Sequence, residues 1–147
     1  GRTTQMLSVF GEHLIVSELD QAISHACAAM GCAVSNYAVG AVVPHEEGAR
    51  GHHMFVLEFQ AERLLPEPEK FMVIVDSALQ DDNDDYRAHR SGNFGLGPPY
   101  LLVARPGTFA AWMKRRGKLG GQNKVPRIIT DADLLADLRH HAEAFRG

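Results

Sequence analysis

Between Pro106 and Thr130 the chain carries Lys114, Arg115, Arg116, Lys118, Lys124 and Arg127, and no Asp or Glu. The remainder holds nine basic residues against eighteen acidic ones. A local positive island in a chain of net charge -3 is built to face an anion or to be neutralised within the fold. Lys114, Arg115 and Arg116 stand at the end of an expected helix, where cations complement the dipole and need no ligand to explain them. Lys124 and Arg127 lie beyond Gly120-Gly121, in a turn-prone stretch closed by Pro126. A lysine there can meet a phosphate as a point charge, and an arginine can fork onto a carboxylate or phosphate. From the residues alone, an anion site and a basic docking surface over 114–127 both stand.

The composition narrows the classes around that island. A chain of 147 residues with 45% hydrophobic and 22% charged content fits one ordinary globular domain. Nucleic acid is disfavoured as the anion, because the net charge is negative and aromatics do not interleave with the cations. No apolar run approaches the roughly 20 residues of a membrane span, and no signal peptide is visible. Cys27 and Cys32 form no CxxC pair and read as small core residues in a reducing, cytoplasmic setting. His52-His53 and His140-His141 lack the i, i+4 spacing of helical ligands, so no metal site is expected. The acids Asp81, Asp82, Asp84 and Asp85 lack the glycine and distal glutamate of a calcium loop. Gly95-Leu96-Gly97 runs into Pro98-Pro99 rather than a helix, which removes the phosphate-binding geometry of a dinucleotide fingerprint.

The elements that must position the island alternate in type. Leu7 to Phe10 begins a short extended segment. Ser17 reads as an N-cap, with Leu19, Ile23, Cys27 and Met30 at helical spacing and Gly31 as the stop. Ala33–Val43 and the alternating run His52–Phe59 predict a hairpin. Pro66 to Glu69 opens a helix that buries Phe71, Val75 and Leu79, and the acids at 81–85 stand at the start of a shorter helix. Tyr100–Ala104 predicts a buried strand, Gly107-Thr108 precedes a helix with Phe109 and Trp112 inward, and Asp131 caps a last helix. The fold class expected is α+β, a small mixed or antiparallel sheet with helices packed on it.

Several collinear pieces resemble the C-terminal region of the auxin-responsive acyl-acid amido synthetases, the Gretchen Hagen family, with a closer likeness to bacterial members. They are Phe10-Gly11-Glu12-His13-Leu14, Asn36-Tyr37, Asn83-x-Asp85-Tyr86 with Arg90, Pro98-Pro99 and Gly107-Thr108-Phe109. The most specific is Gly117 to Arg127, which ends in Gln122-Asn123-Lys124-Val125-Pro126-Arg127. The resemblance runs over nearly the whole chain. It implies that residues 1–147 are the single C-terminal lid domain of an adenylate-forming ligase. Its partner would be its own N-terminal adenylation domain, absent from this sequence. The full enzyme would use ATP with Mg2+ to adenylate an acyl acid, then pass the acyl group to an amino acid amine. Lys124 would stabilise the transition state, Arg127 would hold the loop or assist with phosphate, and Gly120, Gly121 and Gln122 would line the nucleotide side. Glu12 would help set the closed position. The phosphate loop and acid pocket of the large domain are missing here, so this chain alone is expected to hold no bound cofactor and to catalyse nothing. The alternative is a stand-alone anion- or nucleotide-binding or protein-interaction module using the basic 114–127 segment.

Overall fold

A computed structural model of the chain describes residues 5–92, 95–117 and 124–147. Its centre is β4 (His52–Phe59), which pairs antiparallel with β3 (Val34–Val42) as the alternating pattern predicts. β5 (Tyr100–Ala104) joins β4 in parallel, and β6 (Ile128–Ile129) joins β3 in parallel. The sheet order is β5-β4-β3-β6, mixed rather than purely antiparallel. β1 (Met6–Leu7) and β2 (Leu14–Ile15) form a separate two-stranded antiparallel tie. With the five helices among the described residues, the fold is α+β.

Successive side chains of a strand point to opposite faces, so β4 serves two cores at once. Phe55, Leu57 and Phe59 pack with Leu19 and Ile23 of α1 (Val16–Met30) and with Phe71, Val75 and Leu79 of α2 (Pro68–Asp82). Met54 and Val56 pack on the other face with Phe109 and Trp112 of α4 (Thr108–Arg115) and with Leu135 and Leu138 of α5 (Ala132–Ala144). The packing of α5 is close: a Cβ on Gly40 would come within 2.6 Å of the Leu135 side chain. Glycine at this position lets the helix rest directly on β3. A strand covered on both faces loses its polar side, which is why His53 and Glu58 are its only polar residues from position 53 on and both are buried.

Local chemistry sets most boundaries. Gly31 adopts the left-handed conformation (φ 68°) and ends α1, and the Cys32 amide donates to the Cys27 carbonyl at 3.1 Å. Asp131 caps α5, accepting from the amides of Asp133 and Leu134. Asn83 caps α3 (Asp84–Arg90) through the Tyr86 amide at 2.8 Å. The start of α1 differs from expectation. Ser17 lies inside the first turn, Ile15 is the boundary, and the Glu18 carboxylate accepts the Ile15 amide at 3.0 Å. The other difference is β6, whose two residues are too few to show a period. It is a strand only because β3 offers its open edge.

Among the described residues, no helix is long and apolar enough to cross a membrane.

Candidate functional site

Arg127 immediately precedes β6 and is fixed to β3 three ways. Its Nη1 donates to Asn36 Oδ1 at 3.0 Å and to the Tyr37 carbonyl at 2.8 Å. Its guanidinium carbon stands 4.5 Å from the Tyr37 ring centroid, in cation–π range. Its own carbonyl accepts the Val39 amide at 2.8 Å. Three residues upstream, Lys124 is exposed, and no hydrogen bond or ion pair joins it to another described residue. Gly120, Gly121 and Gln122, named above for the nucleotide side, lie outside the described residues, as does Lys118.

Two of the three cations at the end of α4, Arg115 and Arg116, have partners within the domain. Arg115 Nη2 donates to Asp137 Oδ2 at 2.9 Å, and Trp112 Nε1 donates to the same oxygen at 2.9 Å. These bonds, the Trp112 one first, hold the Asp137 carboxyl below its ordinary value. The Arg116 guanidinium stacks 4.6 Å from the Trp112 ring centroid. Arg115 therefore braces α4 against α5 and is neutralised there, while Arg116 lies along its own helix over Trp112. The structure thus parts the island into a structural half on α4 and a loop half that ends on β3.

Beside Arg127, between α1 and β3, lies an open polar cleft of about 340 Å3. Asp20, Ser24, Ser35, Asn36, Tyr37 and Arg127 line it. The Tyr37 hydroxyl donates to Asp20 Oδ1, and burial followed by that carboxylate pushes the phenol well above its ordinary range.

Two polar clusters, one buried and one part-buried, escape sequence reasoning. Glu12 is 0% exposed and His53 1% exposed, and they are bonded through Oε2 and Nε2. Glu12 Oε1 also accepts the Phe10 amide at 2.8 Å. Burial alone would raise the Glu12 carboxyl; the bonds from His53 and from backbone amides outweigh it, and the group lies below its ordinary value. The Tyr86 ring stacks on His53 at 6.0 Å between centroids, and Phe10 tilts against it at 5.9 Å. This corrects the role given to Glu12 above: a carboxylate wholly inside its own domain is not offered to another. In the second cluster Arg90 donates to Asp76 through Nε at 2.8 Å and Nη2 at 2.7 Å, and the Tyr86 hydroxyl donates to the same carboxylate. Desolvation opposes it, yet Arg90 and Tyr86 keep Asp76 below its ordinary value. Tyr86, met in the sequence as a motif residue, is thus part of the core, and Arg90 is part-buried at its edge. Glu58, also buried, accepts the Gly107 and Phe109 amides and so satisfies the N-terminus of α4 from the sheet.

Among the described residues, no group of three or more His, Cys, Asp and Glu could hold a metal ion.

The architecture is an α+β domain with a lysine exposed on the approach to a short edge strand, and comparison with known proteins gives it a family. The sequence profile of the GH3 family C-terminal domain matches residues 17–133. The chain belongs to the GH3 family, as its C-terminal domain. Two solved structures share the fold at TM-score 0.73 and 20% identity: the AtGH3.15 acyl acid amido synthetase in complex with 2,4-DB, and the GH3.15 acyl acid amido synthetase. The match covers 96% of this chain but 26% and 27% of theirs, so the chain spans about a quarter of their length. A comparison with curated proteins gives no match.

Proposed function

We propose that this domain is the lid of a cytosolic, ATP-dependent acyl-acid amido synthetase, and that Lys124 is its adenylation lysine. The observation that carries the proposal is the exposure of Lys124 at the end of a segment staked to β3 three residues later by Arg127. The lysine has reach, and its base is fixed. The parent enzyme would contain a larger N-terminal domain carrying the phosphate loop and the acid pocket. The two free thiols, Cys27 and Cys32, suit a reducing compartment.

In the first half-reaction a carboxylate oxygen of the acyl acid attacks the α-phosphorus of ATP, and pyrophosphate leaves. Negative charge builds on the α-phosphate oxygens in the transition state. Lid closure brings Lys124 against them with water excluded, where a preoriented cation acts most strongly. Arg127 keeps the end of the segment on β3, and the nucleotide role the resemblance implies for Gly120, Gly121 and Gln122 would complete the site. In the second half-reaction an amine attacks the acyl carbonyl, and AMP leaves. Mg2+ would travel with the ATP phosphates.

Acid-dependent exchange of pyrophosphate into ATP by the full-length enzyme tests this. Lys124→Ala is expected to remove most of the exchange at saturating acid. Exchange at the parental rate would show that Lys124 is not the adenylation lysine. The docking alternative draws less support, because Arg115 and Arg116, its strongest surface charges, are already engaged by Asp137 and Trp112.

A further inference from the structure

We propose that Asp20, on α1, is a positioning residue for Lys124 and acts on it through Tyr37 and Arg127. That role rests on Lys124 being the adenylation lysine. Asp20 belongs to none of the motifs met in the sequence, and it stands on a different element from every other residue of the group. The contacts form a continuous chain. The Tyr37 hydroxyl donates to Asp20 Oδ1. The Tyr37 ring carries the Arg127 guanidinium at 4.5 Å, and the Tyr37 carbonyl accepts from Arg127 Nη1 at 2.8 Å. Asn36, its neighbour on β3, accepts from the same nitrogen at 3.0 Å. The Arg127 carbonyl accepts the Val39 amide at 2.8 Å, where β6 begins its pairing with β3.

The segment after Lys124 is held from both faces of the sheet. Val125 packs on the core shared with α4 and α5, whereas Tyr37 belongs to the core under α1 and α2. Pro126 fixes the backbone torsion between the two anchors. Of these anchors Tyr37 is the one that has to be aimed. Its ring turns about two side-chain torsions, and a face must meet Arg127 for the cation to be held. A carboxylate that accepts the hydroxyl fixes the far end of the ring by a charge-assisted bond. The consequence falls on Lys124, a long side chain at an exposed position whose direction is set by the backbone beneath it. Its ammonium acts only where charge builds at the α-phosphate, and a misplacement of about 1 Å that originates far from the chemistry costs up to about 10²-fold. Asp20 itself is exposed, so its loss costs the fold little. A large effect on rate with a small effect on stability is the signature of positioning.

The test uses the full-length enzyme with Asp20→Ala, Asp20→Asn and Tyr37→Phe, each with Lys124 intact and in the Lys124→Ala background. Alanine removes the acceptor, asparagine keeps one, and phenylalanine keeps the ring and removes the donor. Pyrophosphate exchange gives kcat and the KM values of ATP and acid. Hydrogen exchange of the Val39 amide reads the seating of the segment, because that amide is bonded to the Arg127 carbonyl. Asp20→Ala and Tyr37→Phe are expected to lower kcat by about tenfold or more, with both KM values and the urea midpoint hardly moved, and to speed exchange of the Val39 amide. Asp20→Asn should stay within about twofold of the parent in all of these, since the hydroxyl keeps its acceptor. With Lys124→Ala present, none of the three should lower kcat further, because residues that act through one another are not additive. If Lys124→Ala alone exchanges pyrophosphate at the parental rate, the adenylation-lysine reading falls. The Val39 amide then decides for Asp20: faster exchange in Asp20→Ala and Tyr37→Phe, restored in Asp20→Asn, keeps it as the residue that seats the segment, and parental exchange removes it. If Lys124→Ala is impaired while Asp20→Ala and Tyr37→Phe retain the parental kcat, the proposal is overturned. A loss that repeats in full in the Lys124→Ala background overturns it equally, as does one matched by a fall in the urea midpoint.

Discussion

The Glu12–His53 pair and the Arg127–Tyr37–Asp20 group are both charge clusters built on β3 and β4, and they differ in what surrounds them. Glu12 and His53 are sealed by Phe10 and Tyr86. Arg127 and Asp20 face an open cleft. A sealed pair has no access to substrate, and its role is to fix the segment before α1 onto the sheet. The open pair, by contrast, is reachable from solvent through the cleft between α1 and β3. Charge alone therefore does not distinguish the two clusters; access to solvent does.

That contrast can be broken by experiment, beginning where the effect is largest. Glu12→Ala leaves His53 buried without its partner, and stability should fall by about 3–5 kcal/mol in urea unfolding. Replacing both Glu12 and His53 with leucine should recover part of that loss, because no buried charge is then left unpaired and only the Phe10 amide loses its acceptor. If Glu12→Ala unfolds like the parent, the sealed pair is not a structural tie. Next in size is Lys124→Ala, which should lower exchange by about 10²–10³-fold, the range for losing one preorganised donor, with the urea midpoint unchanged. A matching fall in stability would place Lys124 in the structural class instead.

The third prediction concerns acid. Glu12 and Asp76 both lie below their ordinary values of 4.5 and 3.8 in the folded state. Depressed carboxyls contribute stability that is full above the unfolded value and is lost as pH falls through the folded one. The urea midpoint should be flat from pH 7 to about 5 and should drop below pH 4.5. Glu12→Gln should weaken that acid dependence, and an unaltered pH profile would remove Glu12 as a contributor. The smallest effect is expected from Arg115→Ala. Its pair with Asp137 is about half exposed on both sides, so stability should change by less than about 1 kcal/mol and exchange hardly at all. A large loss of exchange there would return weight to a basic docking face.

The sequence by itself determined the helices, the hairpin and β5, because their apolar spacing follows the geometry of each element and the caps at Gly31 and Asp131 are written locally. It also marked the 114–127 island and, through Gln122 to Arg127, the family. Tertiary structure decided the rest. β6 exists because β3 had an unpaired edge, and two isoleucines carry no period of their own. Glu12, forty-one positions from His53, reads as an ordinary charged residue until folding buries both side chains together. The division of the island was equally invisible. Arg115 differs from Lys124 in having Asp137 brought against it by the packing of α4 on α5, while Arg116 finds Trp112 one turn back on its own helix. A charge's partner is set by distance through space, and along this chain the decisive partners lie far away in sequence.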